Sequence, residues 1–263
     1  MELFYKEYRG DGRDDPLIIL HGLLGASGNW HTLSRTVFSN HARVFTVDQR
    51  NHGRSPHAST FDYEAMAADV RNFIARHNLG SVTLMGHSMG GKTAMQTALA
   101  YPTLVDRLIV VDMAAKAYPP RHTDLLRALQ RINPSDYDDR SAIDAELEES
   151  IPSRPIRQFL LKNLQYDGER YTWQMNLDVI AANYSAINDA ITLSSTFDGP
   201  TQFIRGGDSD YVEVEDMVQA RTLFPDATLE TIDGAGHWVH ADAPEAFADA
   251  VVEFLEQHPE AAA

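Results

Sequence analysis

Val82-Thr83-Leu84-Met85-Gly86-His87-Ser88-Met89-Gly90-Gly91-Lys92-Thr93 joins a short apolar run to a helical one through a glycine-rich turn. Val82 to Met85 reads as a buried strand and Gly91 to Ala100 as a helix. Between them, Gly86 to Gly90 fits G-x-S-x-G, a sharp strand-to-helix turn that presents a serine hydroxyl at a sheet edge. Such a turn strains the serine backbone and needs small neighbours so that strand and helix can pass closely, a need met by Gly86, Gly90 and Gly91. The same letters also spell the phosphate-binding loop G-x-x-x-x-G-K-[ST], and Asp112, ending Val110-Val111-Asp112, would be its magnesium carboxylate. Both readings predict strand, loop and helix, so the decision lies outside the turn.

Working outward, Leu17-Ile18-Ile19-Leu20, Val44-Phe45-Thr46-Val47, Leu108-Ile109-Val110-Val111, Gln202-Phe203-Ile204 and Thr228-Leu229-Glu230-Thr231-Ile232 also read as strands. Helical stretches at Tyr63 to His77, Val214 to Phe224 and Pro244 to Leu255 separate most of them. Strand and helix in alternation predict an α/β fold, a mostly parallel central sheet with helices on both faces. From Ala114 to Ser185 no convincing strand occurs, and prolines punctuate helical stretches such as Asp124 to Arg131 and Ser153 to Leu164. The expected organisation is a core of residues 1–113 and 186–263, with 114–185 a helical cap inserted over the carboxyl ends of the strands, where open parallel sheets bind ligands. The apolar cap residues Phe159, Leu160, Leu164, Tyr166, Trp173 and Tyr184 read first as the cap's own core.

A serine hydroxyl is a weak nucleophile until a base takes its proton, so a histidine is required, with a carboxylate to orient it. His237 follows the last predicted strand in Asp233-Gly234-Ala235-Gly236-His237-Trp238 and is the expected base. His240 reads as a structural or surface residue. An oxyanion hole takes one backbone N–H from the residue after the nucleophile, Met89, and one from the loop after an early strand. His21-Gly22-Leu23-Leu24-Gly25 directly follows Leu17 to Leu20, so Leu23 is the second donor and His21 shapes the loop. The usual acid position falls in Gly206-Gly207-Asp208-Ser209-Asp210-Tyr211-Val212, where serine occupies the acid slot. The residues leave three carboxylates, in order of preference Asp112, Asp210 and Asp208. A nucleotide loop gives no reason for the His-Gly or the Gly-His-Trp, and His87 and Met89 would crowd a loop that must wrap phosphate.

The 263 residues carry 38 acidic and 22 basic side chains, a formal net charge of −16, and such a field repels nucleic acid and anionic membranes. Without cysteine the chain has no disulfides, thiolate metal sites or cysteine nucleophiles. The N-terminus lacks the layout of a signal peptide, and no apolar run approaches the ~20 residues of a membrane span, so a cytoplasmic protein is expected. Only Lys6, Lys92, Lys116 and Lys162 are lysines. Salt adaptation and a merely acidic surface both account for that.

Taken together, His21 to Gly25, Asp48-Gln49-Arg50-Asn51-His52-Gly53-Arg54-Ser55, Gly86 to Lys92, Val111-Asp112-Met113, Gly206-Gly207 with Tyr211-Val212, and Gly234 to His240 resemble the YbfF-like esterase branch of the α/β hydrolases over nearly the whole chain. The resemblance implies the α/β-hydrolase fold and, with the slot after Gly-Gly non-acidic, assigns the acid to Asp112. It also implies hydrolysis of short- to medium-chain acyl esters, with acyl thioesters a further class, through an acyl-enzyme on Ser88, without cofactor or metal. The alternatives are a P-loop-type nucleotide-binding protein, a binding protein on the hydrolase fold, and non-ester chemistry on the same triad, as in a perhydrolase or a carbon–carbon hydrolase. A fluorophosphonate probe is expected to label Ser88; ATP binding without labelling would instead establish the phosphate loop.

Overall fold

The computed structural model describes residues 1–10 and 14–259. The first half contains β1 (Tyr5–Tyr8), β2 (Pro16–Leu20), α1 (His31–Thr36), β3 (Arg43–Val47), α2 (Tyr63–Arg76), β4 (Val82–His87), α3 (Met89–Ala100) and β5 (Val105–Val111). The chain then leaves the sheet through α4 (Thr123–Arg131), α5 (Arg140–Glu148), α6 (Arg154–Leu160), β6 (Leu164–Tyr166), β7 (Tyr171–Trp173), α7 (Leu177–Ala182) and α8 (Tyr184–Asn188). It returns with β8 (Thr201–Gly206), α9 (Asp216–Leu223), β9 (Ala227–Ile232), α10 (Val239–Asp242) and α11 (Pro244–Gln257). The seven-stranded sheet has the order β1-β3-β2-β4-β5-β8-β9, and only β1 runs antiparallel to its neighbour.

The continuous apolar runs have a direct cause. In β2, Ile18 and Leu20 join the core under α2 and α3, whereas Leu17 and Ile19 join the core under α1 and α11. Leu108 and Val110 of β5 face the first core, and Ile109 and Val111 the second. With both faces covered, alternate side chains still point opposite ways, yet every one is apolar. Local signals agree with this layering: Asp62 caps α2 by accepting the Ala65 N–H at 2.8 Å, satisfying a donor that the first helical turn leaves free.

Two elements depart from the expectation. β1 was not anticipated, because Tyr5-Lys6-Glu7-Tyr8 is a half-exposed edge strand without a buried run. The β6–β7 hairpin lies where no strand was expected; its strands are three residues each and largely exposed. Its turn is legible afterwards: Asp167 accepts the N–H groups of Glu169 and Arg170, both at 2.9 Å, and Gly168 takes φ +105°, as an Asp-Gly turn requires.

The crossing of β4, α3 and the loop after β2 positions the centre of the molecule. A Cβ on Gly90 would stand 2.4 Å from the Leu20 carbonyl oxygen, and one on Gly86 2.0 Å from that of Gly90. These are backbone obstacles that cannot rotate aside. Gly90→Ala is therefore expected to cost about 3 kcal/mol or more of folding stability, read from the urea midpoint; a loss under about 1 kcal/mol would show that the crossing has slack.

Candidate active site

Ser88 sits between β4 and α3 with φ +55° and ψ −119°, a conformation that L residues adopt only under constraint. The constraint is visible in the backbone: the Ser88 N–H donates to the Val111 carbonyl at 3.0 Å, and the Ser88 carbonyl accepts the Lys92 N–H at 3.1 Å. The turn is thus pinned to β5 on one side and to the first turn of α3 on the other.

Asp112 directly follows β5 and is fully buried, at φ +47°. A buried carboxylate is costly unless several donors meet it, and here three do. Oδ1 accepts the Gly206 N–H at 3.1 Å, and Oδ2 accepts both the Ser209 hydroxyl and the Nδ1–H of His237, the latter at 2.7 Å. The imidazole therefore carries its proton on Nδ1, which leaves Nε2 with a free lone pair. Tyr211 stacks on the His237 ring, centroids 3.7 Å apart and planes at 15°, and fixes its tilt. Its own phenol is pushed up to about 12, chiefly by burial.

The three carboxylates considered from the sequence are now separated by place. Asp112 alone is held against His237. Asp210 is exposed and pairs with Arg121 at 2.5 Å, which holds its carboxyl below the usual range. Asp208 is exposed, and its backbone N–H donates to the Ala235 carbonyl at 2.9 Å. Ser209, in the slot where an acid is usual, donates its hydroxyl to Asp112. No pattern in the sequence marked that role, because it joins positions 97 residues apart.

Leu23, Ser88 and Met89 border one small recess of about 30 Å³ that Tyr63, Tyr118, His122, Tyr184 and Tyr211 also line. The loop that carries Leu23 is clamped from both sides. Its next residue, Leu24, has φ +59°; the Leu24 N–H donates to His52 Nε2 at 3.1 Å and the Leu24 carbonyl accepts the Asn163 Nδ2–H at 2.8 Å. His52 hands its own proton to the Arg50 carbonyl at 3.0 Å, and burial pushes its pKa down to about 3, so it stays a neutral acceptor. Asp48 accepts the N–H groups of Ser27 at 2.5 Å and Arg54 at 2.9 Å, and Gln49 holds both the ring and the carbonyl of His21. The stretch Asp48 to Ser55 is thus the scaffold of the first loop. His87 has a comparable duty, since its Nε2–H donates to the His237 carbonyl at 2.8 Å.

The phosphate-loop letters are used otherwise. The buried Lys92 ammonium donates to the Asp189 carbonyl at 2.6 Å, just past α8, and lies 4.9 Å from the Tyr118 ring centroid. Burial lowers its pKa to about 8. Thr93 donates to the Met89 carbonyl at 3.1 Å. With Lys92 and Thr93 both engaged by the protein's own carbonyls, the nucleotide reading is set aside.

A cavity of about 230 Å³ opens beside Ser88 and His237, with Leu125, Ile156, Phe159, Leu160 and Trp238 among its apolar walls. Of the residues expected to form the interior of the cap, Leu160 and Tyr184 are buried in the core and Phe159, Leu164 and Trp173 pack against it; Phe159 and Leu160 also line this cavity, and Tyr166 is exposed. His240, expected to be a structural or surface residue, stacks on Trp30 and also lines the cavity. Among the described residues no helix is long and apolar enough to cross a membrane.

Asn163→Leu is expected to cost about 1–3 kcal/mol of stability, measured by urea unfolding, because the Leu24 carbonyl loses its partner. Asp210→Asn, at a surface pair, is expected to cost less than about 1 kcal/mol. Equal effects would show that the clamp on Leu24 contributes nothing.

The model of the α/β hydrolase fold family matches residues 15–244. The chain is 38% identical over 262 residues to the sn-1-specific diacylglycerol lipase ABHD11 of Mus musculus, with 97% of this chain and 85% of that protein covered. It is 33% identical over 243 residues to Esterase YbfF of Escherichia coli, covering 92% and 93% of the two chains. A solved structure titled marine microorganism esterase superposes with a TM-score of 0.92 at 41% identity, covering 97% of this chain and 99% of that one. The chain belongs to the α/β hydrolase fold family and, within it, to the YbfF-like esterases.

Proposed function

We propose that this protein is a serine esterase that cleaves short- to medium-chain acyl esters through a covalent acyl-enzyme on Ser88. The observation that carries the proposal is the chain of contacts from Asp112 to His237 beside Ser88. His237 Nε2 takes the hydroxyl proton as Ser88 Oγ attacks the acyl carbon. The oxyanion formed in that step lies in the recess between the Leu23 and Met89 amides. His237 then gives its proton to the leaving alcohol, and the acyl group stays on Oγ. Water, deprotonated by the same nitrogen, attacks the acyl carbon; Ser88 recovers its proton and the acid departs. Asp112 keeps Nδ1 protonated and stabilises the imidazolium in both halves.

Residues 114–185 act in this proposal as a cap whose Leu125, Ile156 and Phe159 wall the acyl cavity. A volume near 230 Å³ falls below the ~300–1,000 Å³ of drug-sized ligand sites, in keeping with an acyl group of modest length. Thioesters share the tetrahedral chemistry and belong to the same proposal, as does a cytoplasmic location, supported by the cysteine-free composition. The diacylglycerol lipase named among the relatives adds glycerol esters to the substrates worth assaying.

Ser88→Ala is expected to reduce hydrolysis of a p-nitrophenyl acyl series to background while leaving the thermal midpoint within a few degrees. Asp112→Asn is expected to lower kcat on the order of 10⁴-fold, by analogy with a protease triad, and Asp210→Asn to leave it nearly intact. The reverse order for the two aspartates would move the acid to Asp210, and an active Ser88→Ala enzyme would refute the mechanism.

A further inference from the structure

The lysines Lys6, Lys92, Lys116 and Lys162 divide by environment. Lys92 is buried on carbonyls and Lys116 pairs with Asp216 at 2.6 Å. Every lysine ion pair and hydrogen bond among the described residues belongs to these two. Lys6 and Lys162 instead line one groove of about 350 Å³ together with Arg54. Lys6 stands on β1, Arg54 on the loop after β3, and Lys162 on the turn between α6 and β6, all three exposed. The Arg54 guanidinium carbon lies 5.0 Å from the Phe4 ring centroid, and only the backbone N–H of Arg54 meets a carboxylate. Its planar fork of donors is thus oriented by an aromatic face and left open to a ligand.

The chain has 38 acidic side chains against 22 basic ones, and Arg9, Arg43, Arg50, Arg76, Arg121 and Arg157 each meet a carboxylate. The groove departs from that habit. Its one lining carboxylate, Asp48, is buried and already accepts the N–H groups of Ser27 and Arg54 at 2.5 and 2.9 Å. Glu7, next to Lys6 on β1, projects to the other face of the strand and accepts from Arg43 Nε at 2.7 Å. Three cations from three segments therefore share the groove, and like charges so placed are stabilised by a common counter-ion. Tetrahedral phosphate oxygens fan toward donors on three sides, whereas a carboxylate offers two oxygens in one plane. The net charge of −16 is screened beyond about 8 Å at physiological ionic strength, so a small anion meets the local cations first.

We propose that the groove between Lys6, Arg54 and Lys162 is a binding site for a phosphate or diphosphate group, which bridges the helical layer to the core. Lys6 and Arg54 belong to the sheet side, and Lys162 precedes Asn163, whose Nδ2–H holds the Leu24 carbonyl at 2.8 Å. An anion shared by the three joins the two sides where the loop carrying Leu23 is clamped. Leu24, Gly25, Asn29 and Phe159 border both this groove and the catalytic cavity. The phosphate is therefore either a free anion or one end of a larger ligand that extends toward Ser88.

Titration calorimetry with sodium pyrophosphate, free of divalent metal and at an ionic strength held constant with KCl, is expected to show saturable binding at one site. The thermal midpoint should rise with it, as for any ligand of the folded state. Lys162→Gln and Arg54→Gln are each expected to weaken binding by roughly tenfold or more, since each removes a charge-assisted hydrogen bond. Arg35→Gln, an equal change of charge at an exposed position outside the groove, is expected to leave the affinity nearly unchanged. Absence of saturable heat, or one affinity shared by the wild type and both groove variants, overturns the proposal. If Arg54→Gln disturbs the packing on Phe4, Lys162→Gln and Lys6→Gln decide. Butyl butyrate compared with 4-phosphooxybutyl butyrate then separates the two sources. A preference for the phosphorylated ester that pyrophosphate abolishes places the phosphate on the substrate, and equal use of both esters while pyrophosphate is bound makes it a free anion. Only this comparison rests on the serine esterase reading, whose failure shows as no turnover of either ester with pyrophosphate binding intact.

Discussion

The carbonyl oxygen of Leu20 occupies the space that a side chain at position 90 would need. That contact between the end of β2 and the start of α3 is the constraint on which the rest of the molecule depends. It lets three segments cross within backbone contact: β4 arriving, α3 leaving, and the loop after β2 passing beside them. Only at such a crossing can Ser88 be held at φ +55°, since the strain of a left-handed non-glycine residue persists only where the surroundings leave the chain no alternative. The same crossing brings Leu23 beside Met89 without any side chain having to reach. Ser88, Leu23 and Met89, to which the proposed mechanism gives the nucleophile and the oxyanion amides, are therefore placed by steric exclusion, which has almost no compliance.

The carboxylate is held by a different kind of force. Asp112 directly follows the next strand, β5, whose backbone already receives the Ser88 N–H at Val111, so the acid and nucleophile of the proposed mechanism share a rigid mount. The cost is a charge in a fully buried position, and Gly206, Ser209 and His237 each offset part of it. The usual slot after Gly206-Gly207 would leave the carboxylate on a loop. Moving it onto the end of β5 and keeping a hydroxyl at position 209 exchanges loop freedom for sheet rigidity. Tyr211, stacked on His237 and held through its carbonyl by the Tyr118 hydroxyl at 2.7 Å, extends that rigidity to the ring.

The parts of this arrangement that were legible in the sequence are those encoded by neighbours. Alternating apolar strands and amphipathic helices, the glycines of the turn and the loops after β2 and β9 all depend on residues within a few positions of one another, and the predicted core strands fall inside the observed ones. β1 escaped because an edge strand needs no apolar run, and the β6–β7 hairpin because six residues of strand carry too little periodicity. The duties of Ser209, His52 and Asn163 were hidden for another reason. Each acts on a residue at least 28 positions away, through a hydrogen bond that composition and spacing do not register.

Lys92 shows how one string of letters serves two chemistries. In a phosphate loop the lysine needs a free path to an anion, and the glycines must leave backbone amides open to it. Here Gly90 serves the close passage of α3 against the Leu20 carbonyl. The lysine, carried one helical turn past Ser88, is turned instead toward carbonyls at the C-terminal end of α8, where a cation is favoured by the helix dipole and by the unsatisfied carbonyl groups. The helical layer is thereby tied to α3 at Lys92 and to the loop after β2 at Asn163, on the two segments that carry Met89 and Leu23. In the proposed mechanism, the seating of that layer therefore bears on both sides of the recess that Leu23 and Met89 border.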